Sequence, residues 1–132
     1  MGLVIITNCQ AEYSKYEIEV TQVNPVTITY KKHPQPSDEA MYQACQEWNL
    51  TAEQVREFFM LSKHYKESPY NLFYQLPCSI TGELQLEDQT WQFTIDAGAT
   101  GKWQNTNTVL YFGCTDNNCE PLVLMMPDNM NP

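Results

Sequence analysis

The sequence predicts an α+β fold in which two adjacent helices pack on a mostly antiparallel sheet. Apolar and polar residues alternate in the N-terminal and C-terminal parts of the chain, and apolar residues recur at helical spacing between them. Strand-forming and helix-forming segments are therefore segregated along the sequence, which is typical of α+β folds. The length of 132 residues suits a single domain.

The N-terminal part is predicted to form strands between residues 3 and 31. Residues 3–7 are mainly apolar, and residues 17–22 alternate between apolar and polar side chains. Asn24-Pro25 interrupts this alternation, which resumes over residues 26–30. Two alternating runs on either side of a proline-containing break predict an N-terminal hairpin.

Two helices are predicted between residues 37 and 65, after a proline-rich break. Ser37 is predicted to cap the first helix, and Thr51 and Gln54 form a capping-box pattern at the start of the second. The apolar face of the first helix is Met41, Ala44, Cys45 and Trp48, and that of the second is Val55, Phe58, Phe59 and Ser62. We expect these faces to pack against the sheet.

The C-terminal part is predicted to form strands between residues 71 and 126, followed by a tail at 128–132 that frays. The clearest hairpin alternates on both sides of a turn at residues 87–89. A loop of small residues follows at 97–101. Beyond it, Val109–Phe112 and Leu122–Met125 are predicted to pair as strands.

The chain is strongly acidic. Its sixteen acidic and seven basic residues give a net charge of −9. Such a surface repels nucleic acids and anionic lipids and speeds association with a basic protein, although the charge can also serve solubility alone. The apolar run near the start is far shorter than the roughly 20 residues that span a bilayer, so no membrane insertion is expected. It also lacks the features of an export leader.

Five cysteines stand at positions 9, 45, 78, 114 and 119, so at least one thiol in a monomer has no partner. A disulfide of Cys114 is predicted, most simply with Cys119 across a polar turn and otherwise with Cys78. A zinc site and free buried thiols are the alternatives, but the histidines do not supply zinc-ligand spacing. Cys45 is predicted to be a small core residue within a helix.

The sequence contains no recognisable catalytic constellation. His64 stands at a predicted helix end, where it is expected to act as a capping cation. Gly98-Ala99-Thr100-Gly101 lacks the lysine and the following helix of a phosphate-binding loop, and a turn is expected there. Asp96, beside this loop, is predicted to stabilise the turn as an acceptor. We therefore expect no enzyme activity, no catalytic residue, no metal and no cofactor.

Aromatic residues follow the second helix in a proline-containing stretch. They are Tyr65, Tyr70, Phe73 and Tyr74. Tyrosines beside acidic residues are typical of protein interfaces because they offer contact area at a small cost in side-chain entropy. The alternative is that about half of these side chains cover the sheet.

The C-terminal two thirds of the chain resembles a family of small uncharacterised bacterial proteins. The resemblance covers about residues 55–125 and is carried by Phe58-Phe59, Tyr74, Pro77-Cys78, Gly82, Trp91-x-Phe93-x-Ile95-x-Ala97-Gly98 and Gly113-Cys114 with Cys119. Several proteins of this group are regarded as immunity partners encoded next to secreted antibacterial toxins, including type VI effectors. The resemblance implies a cysteine pair that closes the domain, and a protein that works without an active site. Its relatives usually carry an export leader, which this sequence does not display.

The sequence therefore predicts a non-catalytic protein that neutralises a cationic toxin or effector by occluding its active site. The alternative is a structural or envelope-associated domain that self-assembles without a toxin, and a homo-oligomer is left open. The candidate partner-binding residues are Asp38, Glu39, Glu47, Glu83, Glu87, Asp88, Tyr70 and Tyr74. The expected location is the periplasm if a leader has been removed, and otherwise the cytoplasm.

Overall fold

A computed structural model describes residues 17–128. The strands are β1 (Glu19–Val23), β2 (Thr27–Ile28), β3 (Lys63–Tyr65), β4 (Cys78–Leu86), β5 (Gln89–Asp96), β6 (Thr100–Gln104) and β7 (Val109–Gly113). The helices are α1 (Asp38–Glu47) and α2 (Ala52–Leu61), and two short 3₁₀ helices cover Tyr70–Leu72 and Asn117–Leu122. The predicted strand at residues 3–7 and most of the predicted tail lie outside the described residues.

All seven strands form one antiparallel sheet in the order β1-β4-β5-β6-β7-β3, and β2 also pairs with β4. The chain is thus α+β, as predicted, with two helices and a sheet in which every described strand pair is antiparallel. The β4–β5 hairpin is also confirmed, since Leu86 pairs with Gln89 across a two-residue turn. Glu87 occupies the first turn position with φ of 57°, as the first residue of a type II′ turn does.

The core lies between one face of the sheet and the helices. The Phe59 ring on α2 makes edge contacts with Phe93, Trp103 and Phe112, at centroid distances of 5.9, 5.5 and 5.3 Å. Gly101 permits this approach, because a Cβ there would lie only 2.9 Å from the Phe59 ring. The indole Nε1–H of Trp48 donates a hydrogen bond of 3.0 Å to the carbonyl of Leu122. The predicted packing of the two helical faces on the sheet is confirmed.

The predicted N-terminal hairpin is wrong. β1 and β2 do not pair with each other but lie one after the other along β4, with Val23 opposite Gly82 and Ile28 opposite Cys78. Pro25 lacks an N–H and interrupts the ladder without reversing the chain. β4 is long enough to pair with both segments, so together they form one interrupted edge strand.

The predicted pairing of Val109–Phe112 with Leu122–Met125 is also wrong. β7 pairs instead with β6 and β3, two strands that the alternation did not reveal. The segment around Leu122 forms a 3₁₀ helix that contains Pro121, which cannot donate to a ladder. Strands of the C-terminal part therefore span residues 78–113 rather than 71–126.

The boundary of the helical region also differs from the prediction. α2 ends at Leu61 rather than at residue 65, and the chain enters β3 within two residues. His64 consequently lies in a strand opposite Phe112 and does not cap a helix. Its predicted capping role is therefore wrong.

Two disulfides join the described cysteines. The predicted bond between Cys114 and Cys119 is confirmed, with Cα atoms 6.5 Å apart. Cys45 is a buried core residue of α1, as predicted, and it is also bonded to Cys78, with Cα atoms 5.9 Å apart, a pairing that was not predicted. This second bond ties α1 to the first residue of β4. Cys9 lies outside the described residues.

The two disulfides are expected to stabilise the fold by different amounts. Cys45 and Cys78 are separated by 33 residues, and Cys114 and Cys119 by 5. Loop-closure entropy then predicts losses of about 3.7 and about 2 kcal/mol in the free energy of unfolding when each pair is replaced by alanine. Urea denaturation of Cys45→Ala/Cys78→Ala and Cys114→Ala/Cys119→Ala measures both. Equal losses, or a larger loss for the short loop, would contradict the expectation.

Ser37 and Thr51 hold the same position at the starts of the two helices, so their capping roles can be compared directly. At α2 the capping box is confirmed, since Thr51 Oγ1 accepts from the Gln54 N–H at 3.1 Å and Gln54 Oε1 accepts from the Thr51 N–H at 2.9 Å. At α1 the side chain of Ser37 makes no capping hydrogen bond, so that prediction is wrong. Its backbone already has helical angles, φ −69° and ψ −13°, whereas a capping residue is normally extended.

Alanine substitutions at these positions are expected to differ accordingly. Thr51→Ala removes a real cap and is expected to lower the free energy of unfolding by about 1 kcal/mol. Ser37→Ala is the control and is expected to change it by less than about 0.5 kcal/mol. Thermal or urea denaturation tests this difference, and a loss at Ser37 as large as that at Thr51 would show that the hydroxyl of Ser37 has a role the geometry does not provide.

Candidate protein-binding surface

An open groove of about 590 Å³ lies where α1, the chain after β2 and the start of β4 meet. We call it the α1 groove. It is lined by Thr29, Lys31, Asp38, Met41, Tyr42, Gln75, Leu76, Pro77, Cys78, Ser79 and Asp96. The Cys45–Cys78 disulfide joins α1, on one side of the groove, to the start of β4 on the other. A hydrogen bond of 2.7 Å from the Thr29 N–H to the Pro77 carbonyl holds the chain after β2 against the segment that precedes β4.

Asp38 belongs to the wall formed by α1. Its carboxylate accepts a hydrogen bond of 2.8 Å from the Gln35 N–H and forms an ion pair of 3.0 Å with Lys31. Both contacts lower the pKa of Asp38 below its ordinary value, and the hydrogen bond from Gln35 has the larger effect. The carboxylate is therefore ionised and already engaged within the chain.

Asp96 is the other carboxylate of the groove. It ends β5, lies opposite Ser79 across the β4–β5 pair and accepts a hydrogen bond of 3.1 Å from the Thr100 hydroxyl. Burial raises the pKa of Asp96, although the Thr100 hydrogen bond and the charge of Lys102 act in the opposite direction. Its predicted role as an acceptor at the turn is confirmed by the Thr100 contact, and Asp96 is also one of the residues that line the groove.

Three large side chains protrude beside the groove. Tyr70, Leu72 and Tyr74, which we call the 70–74 strip, are exposed by 59, 64 and 46%. Phe73 between them is buried against Gly113, where a Cβ would lie 2.5 Å from the Phe73 ring. The Tyr74 carbonyl lies against Gly98 so closely that no side chain fits there. The inward Phe73 thus anchors the segment while its neighbours remain in solvent.

A second groove, of about 500 Å³, adjoins the first and shares Tyr42 with it. The Tyr30 ring, exposed by 56%, makes an edge contact with Tyr42 at 4.9 Å between centroids. Glu39 lines the same groove. The two grooves therefore adjoin at Tyr42, and the 70–74 strip directly precedes Gln75, which lines the first of them.

The predicted partner-binding residues fall into two separate regions. Asp38, Glu39 and Glu47 lie on α1, and Tyr70 and Tyr74 lie near the α1 groove. Glu87 and Asp88 form the turn after β4, and Glu83 lies on the polar outer face of that strand, where it accepts a hydrogen bond from Gln92. β4 has nine residues, so its two ends are separated by about 25 Å. The structure does not bring the hairpin acids together with the tyrosines.

Several residues of this surface were missed in the sequence. Leu72 stood between two predicted contact tyrosines, but an isolated leucine carries no signal of exposure. Ser79 and Tyr30 look like ordinary strand residues in the sequence, and they line the grooves because residues of α1 lie next to them. The position of Asp96 directly before a loop of small residues was the one usable signal, since polar residues at strand ends often lie in clefts.

Neither a metal site nor a membrane span is found in the part of the chain that the structure describes. Residues 17–128 contain no group of three histidine, cysteine or acidic side chains placed to hold a metal ion. Within the same residues, no helix has the length and hydropathy needed to cross a bilayer.

Comparison of this chain with protein-family models, with curated proteins and with solved structures found no match.

The raised pKa of Asp96 has a consequence for stability. The folded state binds this proton more tightly than the unfolded state, so the group favours folding below its ordinary pKa of 3.8, and this contribution is lost as the pH rises through the raised value. We expect the stability of the wild type relative to Asp96→Asn to fall as the pH rises from 3.8 through the raised pKa of Asp96.

Urea denaturation across this pH range measures the difference. Any constant offset caused by the altered hydrogen bond to Thr100 does not affect the result, which depends only on the pH trend. Asp88→Asn, at the exposed hairpin turn, is the control. A difference between wild type and Asp96→Asn that stays constant, or grows with pH, would contradict the assignment.

Proposed function

We propose that this chain is a non-catalytic protein-binding domain, and that it acts as an immunity protein which neutralises a cognate antibacterial toxin by occluding its active site. The observation that carries the proposal is the exposed 70–74 strip next to the α1 groove. Three neighbouring large side chains in solvent, held on a segment anchored by Phe73, are typical of a preformed interaction site.

The shape of this surface suits a protein better than a small molecule. Both grooves are open, and protruding side chains stand beside them. Burial of a large apolar side chain contributes about 1.5–3 kcal/mol, so the three side chains of the strip offer enough apolar area to anchor an interface. Tyrosine adds a hydroxyl that can hydrogen-bond at the rim of such an interface.

The charge of the chain supports a basic partner. The net charge of −9 would attract a cationic protein over a long range and raise the rate of association. On α1, Glu39 is exposed and carries no ion pair in the described region, so it is available to a partner. The resemblance of residues 55–125 to immunity proteins adds the suggestion that this partner is a toxin.

The alternative of a self-assembling structural domain has less support from the edges of the sheet. Strand β1 carries a bulge between Val20 and Gln22, and β3 at the other edge has only three residues. Short and bulged edge strands are features that prevent sheets from pairing edge to edge. An assembly would therefore have to use another surface.

The proposal is tested by capture of the partner with the full chain as bait, at low and moderate salt, from cells that express it naturally. We expect one basic protein at a stoichiometric ratio, whose toxic activity is abolished when the purified chain is added. The double variant Tyr70→Ala/Tyr74→Ala is expected to weaken this complex by at least about tenfold, because it removes two anchor side chains.

The control is Glu87→Gln/Asp88→Gln, which alters the hairpin turn at the far end of β4 and is expected to leave the affinity within about threefold. Recovery of the bait alone as a multimer would overturn the proposal in favour of self-assembly. Inhibition that the tyrosine and hairpin variants impair equally would show that the 70–74 strip is not the binding surface.

A further inference from the structure

We propose that the α1 groove receives an arginine side chain of the protein partner, whose guanidinium group pairs with the carboxylate of Asp96. This inference rests on the proposed function, because it names the chemical group with which the partner enters the surface. Asp96 belonged to neither acidic cluster that the sequence singled out.

The position of Asp96 makes it a receptor for a cation. Its side chain lies opposite Ser79 on neighbouring strands, and both residues line the groove. Directly opposed residues have Cβ atoms about 5 Å apart, so the Ser79 hydroxyl and the Asp96 carboxylate can contact the same guanidinium. The Thr100 hydroxyl already donates to Oδ2 of Asp96 and holds the carboxyl group in place.

The charges around the groove favour a positive ligand. Two carboxylates and one ammonium group line it, and the ammonium of Lys31 is paired with Asp38 at 3.0 Å. Lys102 stands diagonally from Asp96 across β5 and β6, and it is close enough to favour the ionised carboxylate. The two groups form no ion pair within residues 17–128, so Asp96 has no cation in direct contact.

Burial strengthens the case for Asp96 over the exposed acids. A carboxylate partly removed from water interacts more strongly with a cation than one at the surface, because less of the attraction is screened. It also gains more from a cation, since its ionised form is otherwise disfavoured by desolvation. Glu87 and Asp88, in contrast, are exposed at a turn.

The lining of the groove favours arginine over lysine. Tyr42 supplies an aromatic residue to the lining of the groove, and Met41 and Leu76 supply apolar ones. The planar guanidinium stacks on aromatic rings, donates two parallel hydrogen bonds to a carboxylate and loses less hydration than an ammonium group. A lysine side chain would make only a point contact with Asp96.

The test uses the full chain labelled with ¹³C and titrated with Nα-acetyl-arginine methylamide, while the side-chain carboxyl resonances are followed by NMR. We expect a saturable shift of the Asp96 carboxyl signal, with a dissociation constant on the order of millimolar for so small a probe. The apparent pKa of Asp96 is expected to fall in the presence of the probe, because the bound cation favours the ionised form. The lysine analogue is expected to bind several-fold more weakly.

Three variants control this experiment. Asp96→Asn is expected to abolish the saturable response, and Asp88→Asn to preserve it. Ser79→Arg supplies a guanidinium group from the neighbouring strand, so it is expected to lower the pKa of Asp96 and to block binding of the probe. This variant keeps the test valid if Asp96→Asn disturbs the turn. No saturable shift at Asp96, or equal shifts at Asp96 and Asp88, would overturn the proposal.

The result is separable from that for the proposed function. Binding of the probe without capture of any protein partner would retain the arginine site and remove the immunity role. A different outcome is that a partner is captured, that Asp96→Asn leaves its affinity unchanged, and that the probe causes no saturable shift at Asp96. This outcome would retain the protein-binding role and remove the arginine site.

Discussion

Strand β4 is the element on which the rest of the described structure depends. It pairs with β1, β2 and β5, and through Cys78 it is covalently joined to α1. Its inner side chains alternate with outer ones along nine residues, so a slip of one residue would turn the whole buried set into solvent. Three pairing partners and a disulfide make such a slip costly. The position of α1 relative to the sheet follows from the same strand.

The tight contact between α2 and the sheet illustrates how small residues permit large ones. Phe59 contacts three rings of the sheet, and this is possible because Gly101 leaves room for it. Gly113 plays the corresponding role for Phe73 on the other face. Each of these glycines lies where an aromatic side chain approaches the backbone, so the aromatic packing on both faces depends on the absence of a Cβ at these positions.

The proposed binding surface is a consequence of this packing. The segment after α2 must cross from β3 at one edge of the sheet to β4 near the other, and Phe73 anchors it on the way. Its alternating side chains are left in solvent because nothing else in the described structure covers them. The disulfide of Cys78 then places α1 beside the end of this segment, which creates the groove and brings Asp96 to its wall. Stability and candidate function therefore share the same contacts.

The sequence by itself determined the local features of this protein: the α+β class, the capping box at Thr51, the β4–β5 hairpin and the short disulfide between Cys114 and Cys119. These depend on residues close together in the chain, where spacing and side-chain type are sufficient. Only the tertiary structure decided that β1 and β2 share one partner strand, that Cys45 bonds Cys78 and that the acids of α1 and of the hairpin lie apart. Each of these depends on which distant segments meet, and that choice is made by burial of the whole core rather than by any local pattern.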